Sequence, residues 1–174
     1  MASCMQRVSV GAILFLALET RGSLADEVRV EVHRISPIGA GEAIGTITLK
    51  DAQHGVTILP NLTKLPPGKH AFHVHENPDC GAGMENGKMV AGLKAGGHYD
   101  PTGEEHGVGH HKPHGDLPEL PAEADGTAVA PLASDTLSVE AVRGRAIMLH
   151  LYGENDPGKP KGGGPRFACG VIPR

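Results

Sequence analysis

Short runs in which apolar and polar side chains alternate confine this chain to a β architecture. Residues 28–35, VRVEVHRI, put Val28, Val30 and Val32 on one side and Arg29, Glu31 and His33 on the other. That two-residue period is the mark of a half-buried strand. Residues 43–50 (AIGTITLK) and 55–62 (GVTILPNL) read as two more strands with a short connection between them. Residues 127–132, 138–142, 145–152 and 167–172 are further strand candidates. With no tryptophan, the core must come from Val, Ile, Leu and Ala; 25 glycines and 14 prolines make the connections rich in turns. Strands at such spacing predict an all-β antiparallel sandwich or barrel. No internal repeat, heptad pattern or helix of the mature chain stands out.

The 174 residues suit one domain with a real core. Residues 1–25 read as a secretory signal peptide. Arg7 supplies the positive start, and 8–18 (VSVGAILFLAL) is an apolar run too short to span a bilayer. Ser23-Leu24-Ala25 is a small-x-small cleavage site. The folded domain is then 26–174, exported and free of the membrane once the signal is removed. Loss of Arg7, Glu19 and Arg21 moves the formal charge from −4 to −5, which argues against nucleic acid as a partner. Loss of Cys4 leaves Cys80 and Cys169, an even number in an oxidising compartment. A bridge between them would close a loop of about ninety residues.

The chemistry gathers around 68–80, GKHAFHVHENPDC. His73 and His75 are two apart, so on a strand both imidazoles project from one face while Phe72 and Val74 project from the other. Alone, an HxH pair is more often two surface histidines. Here His70, His98, His106, His110, His111, His114 and His150 fall at strand ends or in a long irregular loop, and Asp116 follows His114 after one glycine. A loop running from about 76 to 121 needs something to hold it, and a disulfide at Cys80 with a metal at the histidines would do so. Imidazoles without paired thiolates suit copper and zinc.

At these residues the chain resembles the copper–zinc superoxide dismutases, most closely their secreted bacterial branch. The matching stretches are FHVHENPDC, AGGHYDPTG, HGDLPEL, ADGTA, GRAIMLH and GGGPRFACGVI, in family order through most of the mature chain. The resemblance implies an eight-stranded Greek-key β-barrel, a sandwich of immunoglobulin-like type, with the metals outside the barrel under long metal-binding and electrostatic loops. It implies one copper ion per subunit, held by His73, His75, His98 and His150. It implies one zinc ion per subunit, held by His98 as the shared imidazolate, His106, His114 and Asp116. His111 and His110 are rivals of His114, because the chain reads HHKPHGD where the family spaces this histidine differently.

The resemblance also implies an intrasubunit disulfide between Cys80 and Cys169, an anion-guiding Arg166 at the copper channel, and a bracing role for His70 behind the copper strand. The carboxylate that bridges ligands of the two metals is Glu154 or Asp156. The implied reaction is disproportionation of two superoxide radicals to oxygen and hydrogen peroxide by Cu(II)/Cu(I) cycling in the periplasm. Because the chain is acidic, attraction of superoxide must be local. It rests on Arg166, with Lys159 and Lys161 as candidates to extend its field. Rival readings are a non-enzymatic copper/zinc-binding or metal-chaperone domain on the same barrel and, more weakly, a zinc hydrolase. The resemblance admits a homodimer, but no decisive apolar patch marks one.

Overall fold

The computed structural model describes residues 26–102 and 114–174; the expected signal peptide lies outside them. Eleven strands follow in chain order among the described residues. They are β1 (Glu27–Ser36), β2 (Gly39–Asp51), β3 (Val56–Leu62), β4 (Gly68–His70), β5 (Phe72–His75) and β6 (Gly83–Glu85). After them come β7 (Lys88–Val90), β8 (Leu120–Ala122), β9 (Leu132–Ser134), β10 (Ala146–His150) and β11 (Arg166–Val171). Seven form one sheet in the order β5-β10-β11-β1-β2-β3-β9, and β4–β8 and β6–β7 make two-stranded ribbons.

The alternation read from the sequence is the alternation of burial. Val28, Val30 and Val32 of β1 are buried beside Ile47 and Leu49 of β2, Val56, Ile58 and Leu62 of β3, and Phe72 and Val74 of β5. The sheet curls back on itself through residues 115–128. Leu117 N–H donates to Phe72 O, β8 pairs with β4, and Leu62 and Ala128 exchange both backbone hydrogen bonds. Pro60 sits where this closure has a gap. Its nitrogen points the same way as that of Leu62, and pairing with β9 ends at Ile58. No N–H is needed there, so a proline is tolerated inside a strand.

The connection from β9 leads not to a neighbour but to β10, second in the sheet order; this is the Greek-key crossing. It contains a one-turn helix, α1 (Val139–Val142), where the sequence predicted a strand at 138–142. Ser138 Oγ accepts from Ala141 N–H and caps the turn, while Val139 and Val142 reach the core. A Ser cap followed by two apolar residues three apart fits a helical turn better than a strand, a signal the short alternation masked.

Every residue of β10 is buried, because both of its faces are covered. Ile147 and Leu149 enter the barrel core. Ala146 and Met148 lie beneath the loop that follows β5, with Ala95 and Cys169. The Cys80–Cys169 disulfide pins that loop to β11 across a separation of 89 residues. By loop entropy such a bridge contributes up to about 4–5 kcal/mol. Chemical denaturation of the Cys80→Ser, Cys169→Ser double variant should lose a large part of that, with the loop carrying His98 becoming protease-sensitive. An unchanged midpoint and an intact digestion pattern would contradict the role given to the bridge.

Candidate metal centre

On β5 the pleat sends Phe72 and Val74 into the core and His73 and His75 to the outer face, under the loops, where each is 1% exposed. β10 lies antiparallel beside it, with Met148 opposite His73 and Ala146 opposite His75. His150 continues the same outer face, and an irregularity after Leu149 sets it opposite Arg166. His98 arrives from the disulfide loop and bridges to His75. The four imidazoles predicted for copper therefore converge: one ligand atom from each of His73, His75, His98 and His150 lies within 4.8 Å of the others. The His73 and His98 rings are 3.9 Å apart between centroids, and His73 and His150 are 5.0 Å apart.

Backbone carbonyls and one carboxylate fix which nitrogen each ring offers. His75 Nδ1 donates to Gly96 O at 2.9 Å, and His150 Nδ1 donates to Gly164 O at 2.8 Å. His73 Nε2 is 3.0 Å from Glu154 Oε2. The opposite nitrogens, Nε2 of His75 and of His150, are buried with no hydrogen-bond partner. Buried acceptors without partners are costly. Burial pushes His75 down to about 3 and His150 down to about 4, the neighbouring Arg166 and His98 adding to the shift in both. Neutral rings with inward-facing lone pairs are the form a metal needs, so the donor set fits a copper ion.

The second half of the centre is built from the same strand edge. Asp116 pairs with His73 through the backbone, and its Oδ1 lies 2.7 Å from His98 Nδ1. Gly115 makes this possible: a Cβ there would come within 2.4 Å of Val74 O and 2.9 Å of Tyr99 N. His114, predicted for zinc, places Nδ1 3.4 Å from Asp100 Oδ1. His106 and the rivals His110 and His111 lie outside the described residues. Of the two bridging carboxylates left open, Glu154 is the one that reaches a histidine of the cluster, His73. Asp156 accepts from Gly153 N–H and caps the turn instead.

His70, buried, has its two ring nitrogens 2.8 Å from the carbonyl oxygens of His150 and Pro66, and so ties the end of β10 to the turn before β4. A crevice lined by Lys69, His73, Asp116, Glu119 and Glu154 opens beside this half.

Arg166 is half-buried at the edge of the cluster. Its guanidinium donates to Gly92 O and, at 2.7 Å, to Gly96 O, and burial lowers its affinity for the proton somewhat. Lys159 stacks its ammonium 4.5 Å from the Tyr152 ring centroid. Sequence reasoning missed Glu119, whose carboxylate accepts from Glu154 N–H at 2.8 Å and pairs with Lys69 at 3.2 Å. It also missed the carbonyls of Gly96 and Gly164. The glycine-rich runs were the only signal for those two: at Gly163 a Cβ would collide with Ala71 and His150, so the loop can approach His150 only without one.

Three comparisons place the chain among known proteins. The family model described as copper/zinc superoxide dismutase (SODC) matches residues 43–172. A Cu-Zn superoxide dismutase of Brucella abortus is 43% identical over 162 residues, covering 86% of this chain and 90% of that one. Superoxide dismutase 2 of Salmonella typhimurium, also Cu-Zn, is 39% identical over 97% of this chain and 99% of its own. Among solved structures, the Cu/Zn superoxide dismutase from Brucella abortus superposes with a TM-score of 0.77 at 41% identity, over 84% of this chain and 99% of that one. The monomeric copper, zinc superoxide dismutase from Salmonella enterica gives 0.73 at 38%, over the same shares.

Two imidazoles held neutral bind fewer protons folded than unfolded. For the metal-free protein their contribution is therefore intact above the unfolded value near pH 6.5. It is lost as pH falls from there toward the folded values of about 4 and about 3. Denaturant midpoints of the metal-free protein should decline across that window, and His150→Gln should flatten the slope. A midpoint that stays level down to about pH 4.5 would contradict neutral burial.

Proposed function

The chain belongs to the copper/zinc superoxide dismutase family, and from that premise we propose how its own residues divide the work. It is an oxidoreductase that disproportionates superoxide to oxygen and hydrogen peroxide, with copper and zinc as cofactors. His73, His75, His98 and His150 hold copper. The convergence of those four imidazoles, drawn from two strands and a loop, is the single observation that carries the reading. His98 and Asp116 would hold zinc together with His106 and His114, so that His98 would serve both metals. When bound, copper supplies a one-electron couple that one superoxide reduces and a second reoxidises, while zinc supplies a fixed charge beside His98.

The protein's groups do the rest. Glu154 fixes the His73 ring through Nε2, and Gly96 and Gly164 fix His75 and His150 through Nδ1. These contacts leave one chosen nitrogen of each ring for the metal. Formation of hydrogen peroxide needs two protons, and the copper-side nitrogen of His98 is placed to carry one of them. Arg166 spends part of its donor fork on two carbonyls, which orient it, and keeps its charge for an incoming anion. On an acidic chain that local cation has to overcome the repulsion of the whole.

The rival carrier reading lacks support from the residues, since no copper imidazole is missing and Arg166 is in place. Residues 1–25 direct the protein to the periplasm, consistent with a disulfide in the folded domain. A matched Salmonella enzyme is described as monomeric, so family membership does not bring a homodimer with it.

Elemental analysis of purified protein should give one copper and one zinc per chain, and the loaded protein should remove superoxide. Metal uptake with no superoxide loss would establish the carrier instead. Arg166→Glu should keep its copper yet slow superoxide removal at least about tenfold at low salt, and added salt should slow the wild type more than the variant. Full rate in the variant would remove Arg166 from steering.

A further inference from the structure

We propose that Arg145 is a positioning residue for the shared histidine, His98. The proposal rests on the reading of His98 given above and concerns how this chain holds that ring in place. Three backbone segments meet beside the centre: 74–76 at the end of β5, 97–99 from the disulfide loop, and 115–116. Tyr99 N–H donates to Val74 O at 2.8 Å, Glu76 N–H donates to Gly97 O at 3.1 Å, and Gly115 N–H donates to Tyr99 O at 2.7 Å. His98 sits between the bonded residues 97 and 99, so its ring can be no better placed than they are.

Arg145 stands just before β10 and clamps this junction from outside. Its guanidinium carbon lies 3.6 Å from the Tyr99 ring centroid. Its Nη1 donates to Glu76 O at 3.2 Å, and its Nε donates to Ala141 O, in α1, at 2.9 Å. One planar cation thus binds the residue after His75, the residue after His98 and the helical turn that precedes β10. A planar guanidinium can lie flat on a ring while its edge donates in fixed directions, whereas an ammonium has no flat face to stack and no fixed fork. Arg145 touches neither metal ligand directly. Its effect runs through Tyr99 and Glu76 to the backbone on either side.

Two paramagnetic ions that share one imidazolate couple magnetically, so the test loads Cu(II) at the copper position and Co(II) at the zinc position and records copper EPR. Wild-type protein should be silent. Arg145→Met should regain a copper signal while its circular dichroism and disulfide stay native, and Arg145→Lys should regain less. A lost prop for the fold alone would lower the melting temperature and leave the spectrum silent, so a folded, silent Arg145→Met overturns the proposal. If that variant does not fold, Tyr99→Leu removes the stack and keeps the carbonyl bonds. It should regain signal too, and silence there overturns the proposal equally. A copper signal already present in the wild type would instead refute the shared-imidazole reading on which the proposal stands.

Discussion

The antiparallel register of β5 against β10 is the constraint from which the centre follows. His73 faces Met148 and His75 faces Ala146, so one face of each strand is given to the barrel core and the other to the site. The side-chain period of a strand is two. A slip of one residue would therefore turn His73 and His75 into the core and bring Phe72 and Val74 out. The core prevents that slip, since Phe72, Val74, Ile147 and Leu149 are all fully buried. Hydrophobic packing thus does the work of aligning ligands that lie far apart in sequence.

Alignment alone would bury His73, His75 and His150 and leave His98 part-covered, with His75 and His150 in surroundings too dry for their charge. The carbonyls of Gly96 and Gly164 and the carboxylate of Glu154 resolve this by taking one nitrogen of His75, His150 and His73 respectively. Each neutral imidazole carries one N–H, so assigning it to an outer acceptor leaves the lone pair inward. Desolvation then works with the ligands: the same burial that disfavours a proton on His75 and His150 leaves the nitrogen open to a metal. The glycines matter because the turns that aim those carbonyls hold Gly96 at φ 79° and Gly164 at φ 68°, a left-handed backbone that other residues rarely adopt.

What the sequence disclosed was what periodicity and residue type encode. The valines of β1 announced a half-buried strand, HVH announced two imidazoles on one face, and the cysteines left after Cys4 announced their bridge. The chain could not disclose contacts made by backbone oxygens, because every residue has one; hence Gly96 and Gly164 went unseen. Nor could it rank Glu154 against Asp156, which differ in reach and in which neighbour, His73 or Gly153 N–H, each meets. Ser138 was misread for a related reason: five residues are too few for alternation to be told from a capped turn. The Arg145–Tyr99 stack joins residues 46 apart, and neither carries a mark of the other.

The carbonyl of Gly96 shows how the two tasks of the site are tied. It accepts from His75 Nδ1 and also from Arg166 Nη2. One peptide plane therefore sets both the orientation of His75, in the imidazole cluster, and the position of the Arg166 guanidinium beside it. That plane belongs to the loop pinned by Cys80, and Arg166 belongs to the strand pinned by Cys169. The disulfide fixes the two sides of this contact relative to each other. A loosened bridge would disturb the imidazole cluster and Arg166 together, since both take their geometry from the same oxygen. The coupling is physical: one acceptor with two lone pairs serves two donors, so neither His75 nor Arg166 can shift without disturbing the oxygen that holds the other.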